Sequence, residues 1–252
     1  MKEVENEIKL AVDIIKNSKR TTAFTGAGIS VESGIPPFRG ENGLWSKYDP
    51  VFLDINYFYR HPKESWRLIK EIFYDFFGKA EPNDAHYSLA ELEKMGYVHT
   101  VITQNIDFLH QKAGSKDVIE FHGTSSRLVC EYCNEIYDFN EELIKEIPPR
   151  CKKCNHVLKP DFVFFSEPIP EPARTLSFDE AYKSDVFLVI GTTGEIYPAS
   201  QIPFLAKRNG AKIIEINIES SNYTDSITDV FIKQKATIGM KKILELIKEE
   251  VE

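Results

Sequence analysis

Four short β-type runs, each stopping at a glycine or small polar residue and separated by helical stretches, limit the fold of this chain more than any other feature. They are Thr21 to Gly26, Val98 to Thr103, Val186 to Gly191 and Lys212 to Asn217. Val4, Ile8, Ala11, Val12 and Ile15 recur at helical spacing before the first run, and Met240, Ile243, Leu244 and Ile247 repeat that pattern near the end. Strands alternating with helices predict an α/β fold, a parallel sheet covered on both faces with ligand sites at the carboxyl ends of its strands. The 252 residues suffice for one such domain with a small satellite. No apolar run is long enough for a membrane helix, and the start of the chain has no secretory pattern, so an intracellular, cytoplasmic protein is expected. A net charge of −8 argues against non-specific adhesion to nucleic acid or anionic lipid.

Two stretches break the alternating rhythm. Trp45 to Phe77 holds 11 of the 30 aromatic residues, both tryptophans among them, and reads as a helical module with an apolar inner face. Ser126 to Pro160 contains all four cysteines. Cys130 and Cys133 form one CxxC pair and Cys151 and Cys154 another, 17 residues apart. That spacing fits a four-thiolate zinc site whose closed tetrahedron leaves no place for substrate, so the zinc is expected to be structural, one per chain. His156 is spare once four thiolates are present.

The polar residues gather where the strands end. Gly26-Ala27-Gly28-Ile29-Ser30 follows the first run, where glycines let backbone amides approach a pyrophosphate, although Val31 stands where the dinucleotide fingerprint wants a third small residue. A turn-rich loop then carries Phe38, able to cover a bound ring, and Arg39, able to meet a phosphate. Gln104, Asn105 and Asp107 close the second run. His122 follows Val118 to Phe121, with an ordinary pKa of about 6.5 that suits proton transfer. The other five histidines, His61, His86, His99, His110 and His156, have no comparable setting in the sequence. Gly191-Thr192-Thr193 and Asn217-Ile218-Glu219 add small hydroxyl and Asn/Glu groups of the kind that ribose and phosphate recognition needs.

In order, GAGIS at 26–30, GIPPFRG at 34–40, TQNID at 103–107, FHG at 121–123, the paired CxxC motifs, FVFFSE at 162–167, GTT at 191–193 and NIE at 217–219 resemble the sirtuin family of NAD-dependent protein deacylases. The resemblance implies a single catalytic domain: a Rossmann-like large domain (about 1–44, 80–125 and 161–252), a helical module (about 45–79) and a zinc module (about 126–160). It implies NAD and an acyl-lysine peptide in the cleft between them, and products of nicotinamide, O-acyl-ADP-ribose and free lysine.

Residue roles follow from the same resemblance. Gly26, Ala27 and Gly28 match the pyrophosphate loop, with Ser30 and Arg39 nearby, and Phe38 matches the aromatic on the nicotinamide side. Gln104, Asn105, Ile106 and Asp107 match the nicotinamide and ribose pocket, Asp107 meeting the departing carboxamide. His122 matches the general base that takes a ribose hydroxyl proton. Gly191, Thr192 and Thr193 match the phosphate and ribose contacts, Asn217 and Glu219 the adenosine ribose, and Val163 and Phe165 the strand and tunnel for acyl-lysine. Three positions depart from the family pattern: Pro37, where many members have Asp or Thr; Ser166, in place of a usual Gly; and Glu195, in place of an apolar residue. The last could favour basic peptides. Members that take succinyl or malonyl groups carry a Tyr and an Arg where Ile69 and Ile72 stand here, so a neutral acyl substrate is expected. The alternative use of the same cleft is mono-ADP-ribosyl transfer or NAD hydrolysis.

Overall fold

The computed structural model describes residues 2–38, 40 and 43–249; Arg39 lies outside them. Helix α1 (Lys2–Lys16) leads into β1 (Thr21–Thr25), followed by a 3-10 turn at Ala27–Ser33. The aromatic stretch is largely helical. It holds α2 (Ile55–Arg60) and α3 (Pro62–Ile69), the latter widening into a π-helical turn at Lys70–Phe76. Then come α4 (Asp84–Lys94), β2 (Thr100–Thr103), α5 (Leu109–Ala113), β3 (Val118–Glu120), β4 (Gly123–Val129), β5 (Ile136–Asp138) and β6 (Lys159–Phe162). The chain continues through α6 (Ala173–Lys183), β7 (Val186–Ile190), α7 (Gln201–Arg208), β8 (Lys212–Asn217), β9 (Val230–Lys233) and α8 (Ala236–Glu249).

Six strands form a parallel sheet in the order β3-β2-β1-β7-β8-β9. Every residue of β1 and β7 is buried, as expected where helices cover both faces and a strand reads as one apolar run. Alternation still sorts the side chains: Leu188 and Ile190 join the core under α1, α4 and α8, while Phe187 and Val189 join the one under α6 and α7. The second run starts at Thr100, two residues later than its apolar pattern, because the amide of Val98 turns back to Leu92 O (3.2 Å) and closes the end of α4. Among the described residues no helix is long and apolar enough to cross a membrane.

A small antiparallel sheet, β5-β4-β6, carries the cysteines. The aromatic stretch and the cysteine stretch, which look separate in sequence, share one core: Phe52, Phe58, Trp66, Ile69, Ile72 and Phe73 pack with Leu128, Cys130, Cys151, Leu158, Phe162 and Phe164. Trp66 Nε1 donates to Leu158 O at 2.7 Å across the seam. A buried indole N–H needs such a partner, and here the partner comes from the other module.

The parallel order reverses direction between β1 and β7, so the loops leaving these two strands part and open a crevice. The crevice floor is made of glycine on glycine. Gly26 N donates to Ile190 O (3.0 Å) and Gly28 N to Gly191 O (2.8 Å). Gly191 has φ +61, and a Cβ there would lie 2.5 Å from Ile29 N. These glycines therefore serve a backbone-to-backbone approach, and all three of their amides are already used, that of Gly191 on Ile216 O (3.1 Å). Gly191→Ala should destabilise the fold by about 2 kcal/mol or more, combining overpacking with left-handed strain. The drop should appear as a lower urea midpoint, and an unchanged midpoint would rule out the interlock.

Candidate active site

The crevice brings most of the strand-end residues together. Ser30, fully buried in the first turn after β1, donates to Asp107 Oδ2 (2.7 Å) and accepts from Asn105 Nδ2 (3.1 Å). Asn105 also donates to Gly26 O (3.1 Å), which ties the β2 end to the glycine floor. The second oxygen of Asp107 accepts from Leu109 N (3.0 Å). Burial raises the Asp107 pKa, with the Ser30 and Leu109 hydrogen bonds opposing it. This leaves Asn105 Oδ1 without a partner among the described residues. Ala27 opens the 3-10 turn, a position whose amide has no partner within a helix. Gln104 Nε2 reaches across to Thr192 Oγ1 (3.1 Å), spanning the crevice from β2 to β7.

His122 sits just beyond β3. Its Nδ1 lies 3.0 Å from Gln104 O. A carbonyl oxygen can only accept, so this bond places the proton on Nδ1 and leaves the lone pair on Nε2. Burial lowers the imidazole pKa below its ordinary value, and the bond to Gln104 partly offsets that.

On the β7 side, Thr192 O accepts from Asn217 Nδ2 (3.2 Å) and Thr193 O from Asn222 N (3.0 Å). Thr193 and Glu219 are exposed at the rim, and Glu219 makes no hydrogen bond among the described residues. In front of the cluster, Phe38 is half-buried against Trp45 (ring centroids 5.4 Å apart), and Trp45 lies 6.1 Å from Phe165. Ile106 is half-buried, and its carbonyl accepts from both Ser125 N (2.9 Å) and Ser125 Oγ (2.7 Å).

The 162–167 segment runs along the edge of this site. Val163 N donates to His122 O (2.8 Å). Phe165 uses both of its backbone groups on the helical module, its amide on Leu53 O (2.8 Å) and its carbonyl with Ile55 N (3.2 Å). Val163 O and the backbone N and O of Ser166 have no partner among the described residues. Beneath the segment, Lys159 Nζ donates to Phe162 O (2.7 Å), pairs with Glu167 Oε2 (3.0 Å) and lies 4.4 Å from the centre of the Phe164 ring. The Glu167 carboxylate also accepts from Phe164 N (2.6 Å). Both ends of the segment are thus clamped by one buried ion pair.

Three groups escaped the sequence reading. His86 and His110 are fully buried with ring centroids 4.9 Å apart; His86 Nε2 lies 3.5 Å from Ser30 Oγ, and His110 Nε2 lies 2.9 Å from Thr25 Oγ1. The expectation that they have no comparable setting is therefore corrected. The sequence signal was Asn83 followed by His86 three residues on, the capping box that places His86 at the start of α4. Glu215 is fully buried on β8 and accepts only from hydroxyls: Ser221 (2.6 Å), Thr224 (3.0 Å) and Thr228 (2.8 Å). It shapes the loop that follows Glu219.

The four cysteine sulfurs all lie within 4.8 Å of one another, with contacts of 3.4 to 3.6 Å. A zinc–sulfur bond of about 2.3 Å sets tetrahedral sulfurs about 3.8 Å apart, so the set fits one zinc ion. Tyr137 Oη lies 3.3 Å from Cys151 Sγ and accepts from Lys152 N (3.1 Å), which fixes that sulfur. His156 is not part of the set; its ring stacks on Tyr132 at 3.8 Å.

The sequence profile of the Sir2 family matches residues 26–198, which include the glycine floor, His122 and all four cysteines. The chain belongs to the Sir2 family. A relative from Archaeoglobus fulgidus, NAD-dependent protein deacylase 2, is 47% identical over 97% of this chain and 98% of its own. The NAD-dependent protein deacetylase of Saccharolobus solfataricus is 46% identical over 96% and 98%. Among solved structures, one concerned with the mechanism and regulation of Sir2 enzymes superposes with a TM-score of 0.88 at 46% identity, covering 98% of this chain and 99% of that one. A Sir2 complex with a p53 peptide and NAD superposes with a TM-score of 0.88 at 34% identity, over 97% and 99%. The Sir2-family assignment thus agrees with the α/β sheet, the cysteine set and the crevice.

Proposed function

We propose that this Sir2-family protein is an NAD-dependent protein-lysine deacylase acting on neutral acyl groups in the cytoplasm. The observation that carries the reading is the fixed tautomer of His122, whose free Nε2 shares the crevice with the Ser30–Asn105–Asp107 cluster. The proposed division is a Rossmann-like large domain (about 1–44, 80–125 and 161–252), a helical module (about 45–79) and a zinc module (about 126–160), a reading supported by the core that the last two share.

The polar set fits NAD. The Ala27 amide, at the start of its turn, suits a phosphate oxygen. Asn105 and Asp107 offer an acceptor and a carboxylate for a carboxamide, and Thr192, Thr193, Asn217 and Glu219 suit phosphate and ribose oxygens. NAD, when bound, supplies the ribose carbon that receives the acyl oxygen, with nicotinamide leaving. The protein's own groups do the rest. Asp107, braced by Ser30, orients the carboxamide. Phe38, packed on Trp45, covers that side and excludes water. His122 Nε2 takes the ribose hydroxyl proton, while Nδ1–H on Gln104 O steadies the imidazolium that results. Val163 O and the free backbone of Ser166 are offered to the acyl-lysine peptide; the Phe165 backbone is taken by the helical module, which leaves that residue its side chain for the apolar tunnel.

Ile69 and Ile72 are both buried in the shared core, packed with apolar side chains. A succinyl carboxylate there would be desolvated and unpaired. Assayed with NAD and matched peptides, acetyl-lysine should be turned over at least about 100-fold more efficiently than succinyl-lysine, corresponding to roughly 3 kcal/mol of lost solvation. Comparable turnover would overturn the neutral-acyl reading. Nicotinamide release without acyl peptide would favour the glycohydrolase alternative.

A further inference from the structure

Glu167 N donates to Phe164 O (3.1 Å), so Phe164 to Glu167 form a closed four-residue turn with Phe165 and Ser166 at its centre. Ser166 has φ +74. A turn of this kind needs positive φ at its third position, where glycine is at ease and serine is strained by about 1 kcal/mol. Something must hold the serine there. Its hydroxyl donates to Asp54 Oδ2 (3.0 Å), the carboxylate whose other oxygen caps α2 through Asn56 N and Tyr57 N (3.0 Å each). The backbone is bridged one residue earlier in the turn, Asp54 beside Phe165. An open cleft of about 360 Å³, lined by Trp45, Asp49, Pro50, Val51, Asp54 and Phe165, adjoins this contact.

We propose that Ser166 and Asp54 form a latch that makes the shape of the peptide-receiving turn depend on the docked position of the helical module. This rests on the proposed deacylase reading. With glycine at 166, the turn would keep its shape whether or not Asp54 were engaged; with serine, the left-handed conformation is favoured only while the hydroxyl has its acceptor. Ser166 is thus a positioning residue, and its effect should fall on peptide binding rather than on the chemical step.

The test is a double-variant cycle. Asp54→Ser retains a good helix cap but lacks a second oxygen to reach residue 166. In the Ser166 background it should raise the KM for acyl peptide about 3- to 10-fold, with kcat and the KM for NAD changed less than twofold. In the Ser166→Gly background the same change should have little further effect, and Ser166→Ala, strained and without a hydroxyl, should resemble Asp54→Ser. Amide exchange at Glu167, whose N–H closes the turn on Phe164 O, gives a second readout, faster in Asp54→Ser only when residue 166 is serine. An equal rise in KM in both backgrounds, or equal exchange, would mean that Asp54 merely supports α2 and would overturn the latch. If the wild-type protein turns over no acyl peptide, the functional reading fails and the exchange cycle alone decides the latch.

Discussion

Replacing His122 by alanine is expected to lower acyl transfer by about 10²- to 10⁴-fold while NAD affinity stays within a few-fold. The imidazole reaches the crevice from β3, whereas the groups suited to phosphate and ribose come from β1, β7 and β8, so its removal leaves the nucleotide contacts standing. The pH profile carries the same signature. Burial holds the imidazole pKa below the ordinary value of about 6.5. Nε2 is therefore unprotonated at neutral pH, and kcat/KM should fall only as pH drops through a value on the acid side of 6.5. Two measurements decide this: product formation by mass in the variant, and kcat/KM against pH in the wild type. Undiminished turnover in the variant, or an acid limb centred above pH 7, would remove His122 from the role of base.

Zinc removal should have the second large effect. Site formation and folding of the small sheet are one event, since apparent binding energies of about 10–16 kcal/mol for structural zinc in isolated peptides are folding energies. Cys130 and Cys151 belong to the core that also holds Trp66, Ile69 and Phe164. The damage should therefore cross the seam, freeing the Trp66 indole from Leu158 O and exposing it to water. Chelation is expected to shift tryptophan emission to longer wavelength, to open Lys152 and Lys153 to trypsin and to abolish acyl transfer, while the parallel sheet keeps its circular dichroism. Cys151→Ser should do the same without chelator. Zinc-free protein with unaltered emission and trypsin resistance would show that the cysteines are dispensable for the module.

Periodicity made the main sheet legible. β7 is a continuous apolar run that stops before Gly191, and β8 is apolar apart from Glu215 between Lys212 and Asn217; their ends lie where the pattern stops, because both faces of each strand are covered. The strand-end residues followed from the same logic, since a parallel sheet collects its loops at one edge. What escaped depends on partners far away in sequence. Nothing local to Lys159 says that its ammonium will sit under Phe164 and pair with Glu167. Glu215 reads as an ordinary charged residue until three hydroxyls from the next loop enclose it. His86 and His110 meet only once α4 and α5 pack together. The glycines were legible as special: sequence suggested the approach of a ligand, and the structure adds a second neighbour, the backbone of Gly191.

That glycine contact also fixes when the crevice can exist. β1 leaves the ribosome well before β7, yet one wall of the crevice is β7, paired with it from Thr21 against Val186 to Thr25 against Ile190. Pairings of such long sequence separation require loop closure before any stabilising contact is made, and form slowly. Until β7 is synthesised, the apolar edge of β1 has no partner on that side, and the nascent chain exposes a strand edge prone to association. Nucleotide-binding competence should thus be a late property of synthesis, gained in one step when the second half of the sheet docks.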